Sequence, residues 1–371
     1  MEKERIKLFP DELPSGKRFK VKKVRSGGRT RGLVALFSFV MIFALGFATS
    51  EGIRNGSITL PDFFNVRHTA SSPASAEKEP PQPDTPPSDS GGEDAPQVNA
   101  ETLYDFDYSL IKAGEVAVIP LDLSLSEYGD TYIYNDTDFL PELDELLSSD
   151  AGLPAFSESK DPLVLIIHTH TSEAYSEEGR IAYGEDEEYA RSDDDVENVV
   201  AVGEVMARIL NENGIITLHS KKHHDAESYR DSYARSAQTV EYYLKKYPSI
   251  KYVFDIHRDS IIRSSGEIVR PVTVAEGKAV AQIMCVVGTD QLYGDYAWER
   301  NLALALKIRS LLNEKYGNMA RGTCLRPSSY NQELSPVSLL FEIGAGGNSI
   351  SEAKESARIL ALELVDLIKG E

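Results

Sequence analysis

The 371-residue chain carries a formal charge of -20, with 41% hydrophobic and 26% charged side chains. That apolar share suits a globular body, and so acidic a surface would be repelled by polyphosphate, which argues against DNA or RNA as a partner. Two cysteines, Cys285 and Cys324, cannot form a disulfide framework, and the sequence leaves one bridge and two core thiols equally open.

The charge is unevenly placed. Up to Gly32 there are 11 Lys/Arg against 4 Asp/Glu, and beyond it 28 against 55. The sign changes across Leu33 to Thr49 (LVALFSFVMIFALGFAT), an uncharged run at the short end of the length that spans a bilayer. Arg25, Arg29 and Arg31 precede it and Glu51 follows. The positive-inside rule therefore predicts a basic cytoplasmic segment (1–32), a transmembrane anchor (33–50) and an extracytoplasmic remainder. Ala44, Gly46, Ala48 and Ser50 would also suit a cleaved signal peptide, although the basic head is long for one. From Ser71 to Gln97 the chain is rich in Pro, Ser and acid and lacks large apolar residues, so 51–103 is expected to be a disordered tether.

Order is expected again near Tyr104. An N-terminal extension (104–160) shows strand-like alternation at Gly114–Ser124 and helical spacing at Phe139–Leu147. In the main domain (161–371), PLVLIIH is a continuous apolar run, fit for a strand buried on both faces. Asn198–Asn213 predicts an amphipathic helix stopped by Gly214. There follow a short strand (IITLHS), a helix over Tyr229–Lys246 and a strand (KYVFDIH). AQIMCVVG reads as a strand, Trp298–Tyr316 as a helix, SLLFEIG as a strand and Ser351–Lys369 as a helix. The alternation predicts an α/β three-layer domain with a mostly parallel sheet flanked by helices.

Three of the apolar strands run into polar groups: His168-Thr169-His170-Thr171-Ser172-Glu173, His257-Arg258-Asp259 and Glu342-Ile343-Gly344. At the carboxyl ends of strands such groups would converge on one edge of the sheet. Histidine nitrogens with carboxylate oxygens, and no thiolate, suit Zn²⁺ in a site with an open position for water. A strand-end histidine is more often a hydrogen-bonded structural residue, and a single glutamate more often caps a helix or pairs with a cation. His223-His224-Asp225 precedes a helix, which makes helix capping by Asp225 the simpler use. HEXXH and CxxC spacings are absent, so the residues by themselves leave a zinc hydrolase and a non-enzymatic binding domain both open.

In chain order the sequence contains HTHTSEAY at His168, NVVAVGEVM at Asn198, HHDAESYRDSYARS at His223, FDIHRDS at Phe254, VVGTD at Val286, WERNLALALKI at Trp298 and YNQELSPVSLLFEIGAGGNSISEA at Tyr330. This series resembles the stage II sporulation protein P family, within the zinc N-acetylmuramoyl-L-alanine amidase fold. The resemblance implies a peptidoglycan hydrolase that removes stem peptides from glycan strands, with cross-link cleavage as an additional activity. It also implies forespore engulfment during sporulation as the setting, with a partner lytic transglycosylase and membrane engulfment proteins at the cytoplasmic membrane. Carried over by position, Glu342 would be the catalytic carboxylate and His257 a zinc ligand. A further ligand would come from His168, nearest the strand, with His170 as the alternative. Asp194, in a stretch where Asp193, Asp195 and Glu197 compete, would be the acidic third ligand, and Glu173 is another candidate. An aspartate there departs from the glutamate usual in that fold. Arg258, Asn331 and Gln332 would border the site and hold the substrate.

Overall fold

The computed structural model describes residues 98–370 apart from 125–132, 150, 185–186, 188–189 and 293–295. The expected anchor and most of the tether lie outside these residues. Among the described residues no helix is long and apolar enough to cross a membrane. Residues 98–103, expected within the tether, are described, and Val98 N donates to Gly277 O at 2.8 Å.

The described residues form eleven strands and five α-helices in the order β1 (Glu115–Leu121), β2 (Ile133–Asn135), α1 (Leu143–Ser148), β3 (Val164–Ile167), β4 (Ala182–Gly184), α2 (Val199–Glu212), β5 (Thr217–His219), α3 (Ser232–Lys246), β6 (Tyr252–Asp259), β7 (Ile268–Ala275), β8 (Lys278–Ala281), β9 (Ile283–Gly288), α4 (Trp298–Tyr316), β10 (Thr323–Arg326), β11 (Val337–Ala345) and α5 (Ile350–Lys369). The main sheet has the order β2-β10-β9-β11-β6-β3-β5. All its pairings are parallel except β9 with β11. The expectation of a mostly parallel sheet therefore holds with one reversal, so β9 and β10 end at the edge opposite to β3, β6 and β11.

A second sheet, β4-β1-β7-β8, was not expected from the sequence. The turn from β7 to β8 passes through Glu276 and Gly277, both at positive φ. A two-residue turn of that kind matches the right-handed twist of a hairpin. Through β1 and β2 the N-terminal extension is built into both sheets.

Alternation along the strands divides the core. Ile166, Tyr252, Phe254, Phe341 and Ile343 pack beneath α2, α4 and α5, against Met206, Leu306 and Leu360. Leu165, Ile167 and Val253 face the other way, against Val240 of α3. The same face of β6 and β11 also carries the polar residues Asp255, His257 and Glu342. Local caps fix two helices on the opposite side. Asn198 accepts from Val200 N at the start of α2, and Ser349 with Glu352 forms a capping box on α5.

Candidate active site

Asp255 and His257 stand two apart on β6, on the α3 side of the sheet. Glu342 on β11 is the cross-strand partner of His257, so these two side chains lie next to each other on one face. His257 is buried between two carboxylates: its Nδ1 is 3.2 Å from Glu173 Oε2, and its Nε2 is 3.1 Å from Asp255 Oδ1. The second contact is out of line for a hydrogen bond, and Nε2 has no other partner. Asp255 is fixed by Thr169, whose N–H and hydroxyl donate at 2.8 and 2.6 Å.

The turn after β3 supplies the rest. His170 stands edge-on to His257, with ring centroids 5.4 Å apart, and Ser232 Oγ lies 3.1 Å from its Nδ1. Tyr229 is stacked on the outer face of His170 at 4.0 Å. Glu173 also accepts from Arg258 N at 3.1 Å.

Electrostatics separate the acids. Burial alone would raise Glu173, but the His257 and Arg258 charges hold its carboxyl down to about 2. Asp255 is likewise held at about 2, despite burial, by His257 and the Thr169 hydrogen bonds. Glu342 goes the other way: burial, with Asp259 adding to it, pushes its carboxyl up to about 8. Its Oε2 is shielded and has no hydrogen-bond partner, which marks an acceptor directed at something other than protein.

The sequence-derived ligand set is only partly assembled. His257, His170 and Glu173 come together beside Glu342. His168 does not join them. It shares the face of Ile166, and its Nδ1 bonds Ile256 O at 3.0 Å while its Nε2 meets His219 Nε2 at 2.8 Å. The residue nearest the strand is therefore carried under α2, and the turn beyond swings His170 round to the other side. Asp194 is exposed in the loop before α2, where its carboxylate accepts from Val196 N. Its neighbours are also occupied elsewhere: Asp195 meets His223 Nε2 at 2.8 Å, and Glu197 accepts from Ser192 Oγ.

Arg258 turns away from His257 and Glu342, donating to Ala174 O, Ala190 O and Asp259 O. Gln332 is buried and spans Gly288 N and Val286 O. Asn331 ties its loop to Tyr233 O and Ser236 Oγ of α3. Asp225 does not cap α3, which begins after Asp231; it accepts from Ser172 N and Oγ and holds the HTHTS turn. Asp255 and Tyr229 were missed in the sequence. A carboxylate inside KYVFDIH, two residues before His257, was the available signal for Asp255.

Among the described residues no group of three His, Cys, Asp or Glu side chains is already placed to hold a metal ion. Two of the donors are nevertheless spaced as two ligands of one tetrahedral ion would be. Metal–ligand bonds of about 2.0–2.2 Å imply ligand–ligand edges of about 3.4 Å, close to the spacing of His257 Nδ1 and Glu173 Oε2. His170, edge-on to His257, would be the third donor.

Fold and site together define an α/β protein with a buried histidine–carboxylate centre at the carboxyl edge of its sheet. The family model for stage II sporulation protein P matches residues 93–364, and the chain belongs to that family. Stage II sporulation protein P of Bacillus subtilis (strain 168) is 28% identical over 211 residues, covering 54% of this chain and 49% of that protein. The chain thus spans about half the length of that curated relative. Solved N-acetylmuramoyl-L-alanine amidases align more distantly. AmiC2 of Nostoc punctiforme is 14% identical, with a TM-score of 0.32 over 56% of this chain and 94% of that one. The amidase from Clostridium difficile is 15% identical, with a TM-score of 0.32 over 57% of this chain and 97% of that one. At such TM-scores the likeness bears on neither fold nor chemistry.

Proposed function

We propose that this chain is a membrane-anchored, zinc-dependent peptidoglycan hydrolase, an N-acetylmuramoyl-L-alanine amidase that acts outside the cytoplasmic membrane in wall remodelling during sporulation. One observation carries the chemistry: a shielded, unpartnered Glu342 carboxylate lies beside His257, which shares its centre with Glu173 and His170. Family membership supports the sporulation setting, and the uncharged run after a basic head supports the anchor.

In this reading His170, Glu173 and His257 hold the metal. Zinc, when bound, would supply Lewis acidity at the scissile carbonyl and acidify a water molecule. Glu342 takes the proton of that water. The same carboxyl can then deliver that proton to the departing amine nitrogen. Asp255, 3.1 Å from Nε2, sets a negative charge behind the His257 ring.

Digestion of purified sacculi by the full chain, with and without a chelator, tests the proposal. Free stem peptides and bare glycan, lost on chelation and restored by zinc, are expected by mass spectrometry. Loss of terminal residues alone would indicate a carboxypeptidase. Binding to sacculi without any release would indicate a wall-binding scaffold.

A further inference from the structure

The His170 ring is covered by a stack that the proposed hydrolysis does not use. Tyr229 lies flat on His170 at 4.0 Å, 12° from parallel. Over the other face of Tyr229, 4.6 Å from its centroid, sits the Arg191 guanidinium. Arg191 is anchored from behind: its Nη1 donates to Ser172 Oγ at 2.8 Å and reaches Asp225 Oδ2 at 3.3 Å. Asp225 is itself buried and tied to the same turn. The guanidinium is thus held at the rim of the site, with its side chain 38% exposed and Tyr229 54% exposed beside it.

A rigidly held arginine at the rim of an anionic centre suits a planar anion, because its fork of donors matches a carboxylate. Stacking on Tyr229 fixes the plane of that fork. Spacing selects which carboxylate. Arg191 Cζ is at most about 9 Å from the His170 ring. An extended peptide advances about 3.3–3.6 Å per residue, so a residue two beyond the scissile amide reaches this distance. Resting on the amidase reading, we propose that Arg191 and Tyr229 form a specificity site for the first free carboxylate of the stem peptide, two residues past the cleaved bond.

The test uses the full chain and two synthetic muropeptides that differ only there, one with the free acid and one with the primary amide. Wild type should favour the acid about tenfold in kcat/KM, carried by KM, as expected for one charge-assisted hydrogen-bonding site. Arg191→Gln should bring that ratio close to one, and Arg191→Lys should keep part of it. Equal cleavage of both substrates by wild type, or an unchanged ratio in Arg191→Gln, overturns the carboxylate site and leaves the amidase reading standing. Should Arg191→Gln fail to fold, the wild-type ratio and the Arg191→Lys ratio decide alone. A wild-type chain that releases peptide from neither substrate overturns the amidase reading, and the specificity site with it.

Discussion

At the scale of single residues, environment assigns the acids their parts. Glu173 and Asp255 have cationic or hydrogen-bonding neighbours that favour the ionised form, whereas burial and the nearby Asp259 raise Glu342 and make it the strongest base of the three. In the proposed reaction, acids pushed apart in this way would divide the work of metal ligand and proton carrier. Glu342→Gln keeps the volume and removes the titrating oxygen. It should bind zinc as wild type does while peptide release falls by about 10²–10⁴-fold, the usual weight of a general acid–base group. Metal content by mass spectrometry beside muropeptide release checks this, and near-normal release would remove Glu342 from the reaction.

At the scale of elements, α2 is bound to the sheet through a glycine. A Cβ on Gly203 would stand 2.7 Å from the His168 ring and 2.9 Å from His219 Nε2. Both imidazoles are buried and bonded to each other, so neither can withdraw. Alanine gains about 0.8–1 kcal/mol of helix propensity over glycine. Overpacking a filled core costs about 1–3 kcal/mol, and with two fixed rings the cost wins. Gly203→Ala should lower the thermal midpoint, measured by circular dichroism. An unchanged or higher midpoint would mean that α2 can lift off the histidine pair.

At the scale of the whole molecule, buried histidines couple the fold to pH. His219 is held below its ordinary value mainly by burial, against the pull of Glu204, and burial lowers His224 too. The unfolded chain therefore takes up protons below about pH 6.5 that the folded chain refuses, so these groups cost stability as pH falls. His219→Gln should lose less stability than wild type between pH 7 and pH 5, read from denaturant midpoints. A steeper loss in the variant would reverse the sign assigned to His219.

Much of this protein was legible in its sequence because it depends on patterns along the chain. The apolar runs placed β3, β6 and β11, and the 3.6-residue periodicity with its caps placed α2 through α5. Glu342 and His257 stood out as polar groups ending or interrupting those runs. Strand alternation even predicts their shared face, once β6 and β11 are known to be neighbours in register. The antiparallel entry of β9, the second sheet and the paths of the loops depend on contacts between distant segments, which no local pattern encodes. That is why His168, closest to its strand, lies beneath α2 while His170 turns into the site. It is also why Glu173, not Asp194, meets His257. Local hydrophobic periodicity determined the elements and two of the site residues; the tertiary structure decided which histidine and which acid join them, because a turn beyond a strand end is directed by what packs against it.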